Sequence, residues 1–300
     1  MLTEEVGRMR QQTHHQDSHV LRSSTTKLGL LGGFSLFVSD IPVVLPIHAQ
    51  RVLAYLAVVP AGRNAHTRSS LAERLWSWSS IDRSHASLRT ALWRIRQADR
   101  TMVHAGRNAV SLAESVEVDV HRGVAQANRL LSDDTELTPT DTHLSTLTGE
   151  LLPGWDEDWL LLERERIGQI QVHALEALAH RLCRLGRYLQ AIEVAYAAIA
   201  AEPLRESARA ALIHVHLEEG NVVEARRQLN SYATLLRAEL GIAPSPSLVA
   251  RVWAGVRRST ERTPLAPPNA LGQAAYGARG AQPVLRPDSR RPVSAERGRG

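Results

Sequence analysis

Ser84-His85-Ala86-Ser87-Leu88-Arg89-Thr90-Ala91-Leu92-Trp93-Arg94-Ile95-Arg96-Gln97-Ala98-Asp99 reads as one amphipathic helix. Leu88, Leu92 and Ile95 fall in a narrow sector of the helical wheel with Ala91 beside them, which marks the buried side. Thr90, Trp93 and Gln97 point nearly opposite. Arg89, Trp93, Arg96 and Arg100 form a stripe at spacings of four, three and four, and Arg94 projects on the other flank. The outer face thus carries four arginines against one acid, Asp99. A guanidinium donates two parallel hydrogen bonds to guanine O6 and N7, or forks onto a phosphate. An α-helix fits the major groove, and Trp93 has an apolar body suited to a sugar or a thymine methyl. An ordinary solvated helix gives the same pattern. Two features favour DNA: few acids are near enough to consume the arginines, and a hairpin with Arg107 near its tip follows directly.

Working outward, the segments before this helix read as a small sheet and two helices. Leu28–Leu31 and Phe34–Val38 are strand material, Ser39–Pro42 is turn chemistry, and Val43–Leu45 resumes the strand. Val52, Leu53, Leu56 and Val59 recur at helical spacing until Pro60-Ala61-Gly62 stops them. Thr67 caps a second helix with Leu71, Ala72, Leu75 and Trp76 on its inner face. The polar stretch Ser77–Arg83 leads into the third. Met102–His104 and Ala109–Leu112 then flank a glycine-containing loop as a β-hairpin. The order is sheet, three helices, hairpin.

After Asp119 the chain reads as almost wholly helical, punctuated by Leu151-Leu152-Pro153-Gly154-Trp155 before a long helix from about Asp156 to Leu185. Gly186, Tyr188 and Ala191 recur as Gly220, Val222 and Ala225, each 34 residues on. A helix–turn–helix unit of that period is the tetratricopeptide signature. Glycine permits the tight turn and alanine lets paired helices approach. Four segments result: a flexible extension, 1–26; a mixed block, 27–118; a helical block, 119–256; and a tail, 257–300, rich in Pro, Gly, Ala and Arg and expected to be disordered.

Charge follows the same division. Residues 27–118 carry eleven basic and six acidic side chains, and residues 119–256 carry thirteen and nineteen. A basic block thus precedes an acidic one, and a tail of nine basic and three acidic residues follows. The hydrophobic content of 43% supports real cores. One cysteine, Cys183, excludes an internal disulfide framework and fits a reducing cytoplasm. The N-terminus lacks the apolar run of a secretory signal, and no stretch is long and apolar enough to span a membrane.

Ala86–Arg96, and before it Leu71-Ala72-Glu73-Arg74-Leu75-Trp76, resemble the DNA-binding domain of the Streptomyces antibiotic regulatory protein (SARP) family. Leu151–Trp159, Leu162-Glu163-Arg164-Glu165-Arg166, Glu202–Ala208 and Leu240–Pro246 resemble that family's bacterial transcriptional activation domain. The similarity covers about residues 27–250. It implies a mainly α fold with small β elements: an OmpR-like winged helix, 27–118, and a tetratricopeptide-like domain, 119–256. It also implies a pathway-specific, cytoplasmic transcription activator without cofactors. Such a protein binds direct repeats in double-stranded DNA upstream of biosynthetic genes, as a dimer, and recruits RNA polymerase. Arg89, Thr90, Trp93, Arg94 and Arg96 match the groove-facing positions, Arg107 the wing, and Ser77–Arg83 the polymerase-facing loop. Ser77-Trp78 stands where the family usually has Pro-Asp.

Other signals lead elsewhere less well. The only lysine is Lys27 and no GxxxxGK[ST] loop occurs, so no Walker-type nucleotide site is expected. Asp156-Glu157-Asp158 suit a helix start more than paired catalysis. His14, His15 and His19 lie in the leader. His214 and His216 point to different helix faces, and His180 and His214 share the repeat register as packing positions. No G-x-S-x-G supports a hydrolase. The competing function is a tetratricopeptide adaptor that docks a protein and binds no specific DNA.

Overall fold

The structure, a computed structural model, describes residues 25–59, 66–132 and 136–262. The leader, the Pro60–Gly62 helix stop and most of the tail lie outside the described residues. Described residues up to Gly255 belong to one compact unit, and those from Val256 onward to another.

Strands β1 (Thr26–Gly29) and β2 (Ser35–Val38) pair antiparallel, with Leu28 opposite Leu36 and both buried. Ser39 and Asp40 take positive φ of 51° and 62°, the two-residue turn that matches strand twist, so β3 starts at once as Ile41–Pro42. The expectation of a strand over Val43–Leu45 is therefore corrected. Pro42 and Pro46 bracket that segment and lack N–H donors, Val44 is exposed, and only the Val43 amide pairs, with the Leu36 carbonyl. Helix α1 (Ile47–Val58) buries Val52, Leu53 and Leu56 as the spacing requires. The short β4 (His66–Thr67) precedes α2 (Arg68–Leu75), and Thr67 caps α2 by accepting from the Ser70 amide at 3.2 Å.

The third helix, α3, runs Ile81–Ala98 and so starts three residues before Ser84. The Ser84 hydroxyl donates to the Ile81 carbonyl inside the helix instead of capping it. Strands β5 (Val103–Ala105) and β6 (Ala109–Leu112) form the foreseen hairpin, which β4 extends into a three-stranded sheet in the order β4-β6-β5. An unforeseen β7 (Val116–Val118) returns parallel to β1 and completes the other sheet, β3-β2-β1-β7. This is a winged helix.

Helix α4 (Asp119–Leu131) follows. From Glu136 to Glu157 the chain is irregular apart from two short 3-10 turns, Pro139–Thr142 and Leu144–Thr146, so the near-continuous helix expected there is also corrected. The reason is local bonding. Asp141 accepts from the Thr138 amide and hydroxyl and from Arg129, which favours turns over helix. Helices α5 (Asp158–Arg184), α6 (Tyr188–Ala201), α7 (Glu206–Glu219), α8 (Val222–Leu240) and α9 (Pro246–Arg262) complete a tetratricopeptide-like stack. Gly186 and Gly220 sit at φ of +71° and +88°, a left-handed backbone that the turns between helices require and that glycine adopts without strain. Ala191 and Ala225 are fully buried at equivalent points. Pro246 opens α9, where its missing N–H costs nothing, and α9 continues to Arg262, past the expected start of the tail.

The two parts do not hang apart like beads. Leu151, Leu152, Leu160 and Ile167 belong to the same hydrophobic core as α1, α2 and α3. Phe34 stacks on Trp155 at 6.2 Å, and Tyr55 meets Trp159 edge-on at 5.2 Å. Leu31 bridges to Leu151, and the Leu152 amide donates to the Leu30 carbonyl at 2.8 Å. Arg164 holds the Leu-Leu-Pro-Gly-Trp turn by donating to the carbonyls of Leu151, Leu152 and Trp155. Asp119, first residue of α4, accepts from the amides of Leu30, Leu31 and Val120 at 2.7–3.0 Å. Leu30 is fully buried, so its amide has no water to turn to. Asp119→Ala is expected to lower unfolding stability by about 2–3 kcal/mol, since it strips a charged acceptor from two strand-end amides. Denaturant unfolding of the full chain measures it, and an unchanged midpoint would refute the clamp.

Candidate nucleic-acid interface

On α3 the buried residues are Ser84, Leu88, Ala91, Leu92 and Ile95, the seam read from the sequence. Arg89, Thr90, Trp93, Arg94 and Arg96 are all exposed, and so is Arg107, between β5 and β6. Trp93 is 52% exposed, and the Arg94 guanidinium lies over its ring at 4.9 Å. The indole thus holds Arg94 in place through a cation–π contact. The Thr90 hydroxyl donates back to the Ala86 carbonyl at 3.1 Å, which leaves its methyl and oxygen lone pairs outward.

The hairpin is tied to this face. Arg96 Nη2 donates to the Ala105 carbonyl at 3.2 Å, where β5 ends. Arg68, at the start of α2, donates from Nε to the Gly106 carbonyl at 3.0 Å, and its amide donates to the Asn108 carbonyl at 2.9 Å. Within the loop the Gly106 amide donates to the Ala109 carbonyl. Arg96 therefore spends one donor on the wing. Sequence reading missed Arg68 and β4. A two-residue strand leaves no period to detect, and nothing in the local spacing signals a bond from residue 68 to residue 106.

The electrostatics keep the arginines available. Among the described residues the arginine ion pairs engage Arg51, Arg122, Arg129, Arg164, Arg166, Arg205 and Arg227, and none engages Arg89, Arg94, Arg96 or Arg107. The acid on α3 itself, exposed Asp82, lies in the first turn, well before the arginines, and Asp99, just past the last turn, is bonded away from the outer face. Asp99 accepts from the Thr26 hydroxyl at 2.8 Å and from the amide and hydroxyl of Thr101. Burial pushes its carboxyl upward, but these hydrogen bonds outweigh burial and hold it below the usual carboxylate range. It stays ionised at neutral pH without neutralising the outer face.

His180 and His214 contact across α5 and α7, ring centroids 5.2 Å apart, as the shared register suggested. Burial first, and the neighbouring His214 second, push His180 below the ordinary histidine value. Burial raises the Cys183 thiol, so it is a poor nucleophile. Glu157 occupies the N-cap position of α5 yet does not cap it, because its carboxylate turns to Arg51. Among the described residues no helix is long and apolar enough to cross a membrane.

Residues 118–252 match the family described as the bacterial transcriptional activator domain. This match falls on the block in which the sequence motifs resemble the activation domain of the SARP family. A solved structure titled Mycobacterium tuberculosis EmbR in complex with low affinity phosphopeptide shares the fold. It is 20% identical with a TM-score of 0.62, and the match covers 78% of this chain and 66% of that one. None of the curated proteins matches the sequence significantly.

Proposed function

We propose that the chain is a sequence-specific DNA-binding activator. A reader, residues 27–118, is joined to an activator domain, residues 119–256, and the basic tail from residue 257 adds sequence-independent attraction to phosphates. The observation that carries this reading is the exposed, unpaired arginine face of α3 beside a bonded wing. In it α3 lies in the major groove, with Arg89, Thr90, Trp93, Arg94 and Arg96 toward base edges and phosphates, and Arg107 on the wing reaches the backbone or minor groove. The protein acts in the cytoplasm on direct repeats ahead of a biosynthetic gene cluster, as a homodimer on DNA. One winged helix covers little DNA, and two linked contacts gain avidity. The α2–α3 loop, from Ser77, meets RNA polymerase. No cofactor takes part.

Gel retardation with the promoter flanking the protein's own gene tests the proposal. The full chain is expected to bind that fragment about 10³-fold or more tightly than unrelated duplex, with affinity falling steeply between 50 and 200 mM salt. Equal affinity for both duplexes would remove the claim of specificity. No binding at any salt would return the adaptor reading.

A further inference from the structure

The loop after α2 holds Ser77-Trp78 in place of the Pro-Asp that the resembled family has, and the fold supplies a brace for it. Arg51 lies on α1 with its side chain 7% exposed. One end of its guanidinium, Nη2, donates to Glu157 Oε2 of the activator domain at 2.6 Å. The same group lies 4.9 Å from the Trp78 ring and 5.9 Å from the Trp76 ring. Three residues before it on α1, His48 Nδ1 accepts from Trp76 Nε1 at 3.2 Å. A single turn of α1 therefore grips both tryptophans of the loop. Trp159 Nε1 donates to the same Glu157 oxygen at 3.2 Å, which fixes the carboxylate.

The physical logic runs in one direction. A proline stiffens a loop through its own ring, whereas serine leaves the backbone free. Here the stiffness comes from outside, as an exposed indole seated on a buried cation. A buried guanidinium stays where its acid is, and Arg51 Nε has no other partner. So Glu157 sets the position of Arg51, and Arg51 sets the seat of Trp78.

We propose that Arg51 is a positioning residue that couples the activator domain to the α2–α3 loop. A partner or ligand that shifts the start of α5 moves Glu157, displaces the guanidinium and releases Trp78. The link to transcription rests on the proposed contact of that loop with polymerase, whereas the mechanical coupling stands without it.

The test is a double-mutant cycle on the full chain, Glu157→Gln, Trp78→Ala and both, read by amide hydrogen exchange at Ser79. That amide donates to the Trp76 carbonyl at 3.0 Å and so reports whether the loop is closed. Each single variant is expected to speed its exchange about fivefold or more relative to core amides of α3, and the pair no further than the larger single. Arg51→Lys keeps the charge for Glu157 but loses the planar face, and is expected to speed Ser79 exchange alike. In promoter-dependent transcription the single variants are expected to lower transcript yield while promoter affinity stays within about twofold. Ser79 exchange unmoved by Glu157→Gln and by Arg51→Lys, or effects that simply multiply in the pair, overturns the coupling. Loss of transcription with intact exchange coupling supports both readings. Unaltered transcription with intact exchange coupling overturns only the polymerase contact.

Discussion

Glu157→Ala is expected to destabilise the protein by about 3–5 kcal/mol, because it strands a guanidinium that the fold has already taken out of water. Arg51 is 6% exposed, its Nη2 bond to Glu157 is its only ion pair among the described residues, and its Nε is unpartnered. Burying two charges costs several kcal/mol each, and their attraction repays this only while both are present. Truncation also removes the acceptor of Trp159 Nε1, and that indole packs edge-on against Tyr55, one of the largest fully buried side chains. A control separates charge from packing. Arg51→Met combined with Glu157→Leu removes both charges and keeps apolar volume, and is expected to recover most of the loss. Denaturant unfolding of both variants measures it. A truncated variant with the parent midpoint would show that Arg51 reaches solvent, and the junction would then owe its stability to Phe34, Trp155 and the leucines alone.

How far the sequence revealed this molecule depends on the length scale of each feature. The seam of Leu88, Leu92 and Ile95 spans two helical turns and repeats at a period that only a helix satisfies, so both the buried side and the arginine face could be read. The repeat was legible for a similar reason, since Gly186 and Gly220 mark backbone that only glycine adopts freely, at equal spacing. Strands β4 and β7 were not legible. At two and three residues they show no alternation, and what makes them strands is their partners, β6 and β1, far along the chain. The segment 136–157 misled for the opposite reason. Its apolar residues look helical, but the Asp141 and Arg164 side chains bond its backbone groups in place of a helical ladder. The join between the two parts was the least accessible feature. Arg51 and Glu157 are separated by 106 positions, and no local pattern distinguishes Arg51 from an arginine that faces water. The exposure of the proposed interface residues could be read in the sequence, but Arg68 and the donor that Arg96 gives to the wing could not.

That donor bears on the second large effect, expected for the pair Arg89→Ala and Arg94→Ala. Each substitution is expected to cost about 1–3 kcal/mol of promoter binding, and the two together about 2–6 kcal/mol if they contact separate groups. The geometry suggests different roles. Arg94 is held against Trp93, so its guanidinium arrives pre-oriented and loses little entropy on binding, as a base-reading fork requires. Arg89 is exposed and no neighbouring side chain among the described residues braces it, and a flexible cation suits a phosphate. Arg94→Ala should then narrow the gap between promoter and unrelated duplex, whereas Arg89→Ala should weaken both alike and reduce the salt slope by about one. Arg96→Ala would behave differently again. It frees the Ala105 carbonyl and loosens the wing, so its loss should be partly shared by Arg107→Ala when the two are combined. Retardation on the two duplexes at two salt concentrations distinguishes these outcomes. If the Arg89 and Arg94 variants bind both duplexes as the parent does, α3 does not enter the groove. The exposed arginines would then be a solvated face, and the reader would have to lie elsewhere on the molecule.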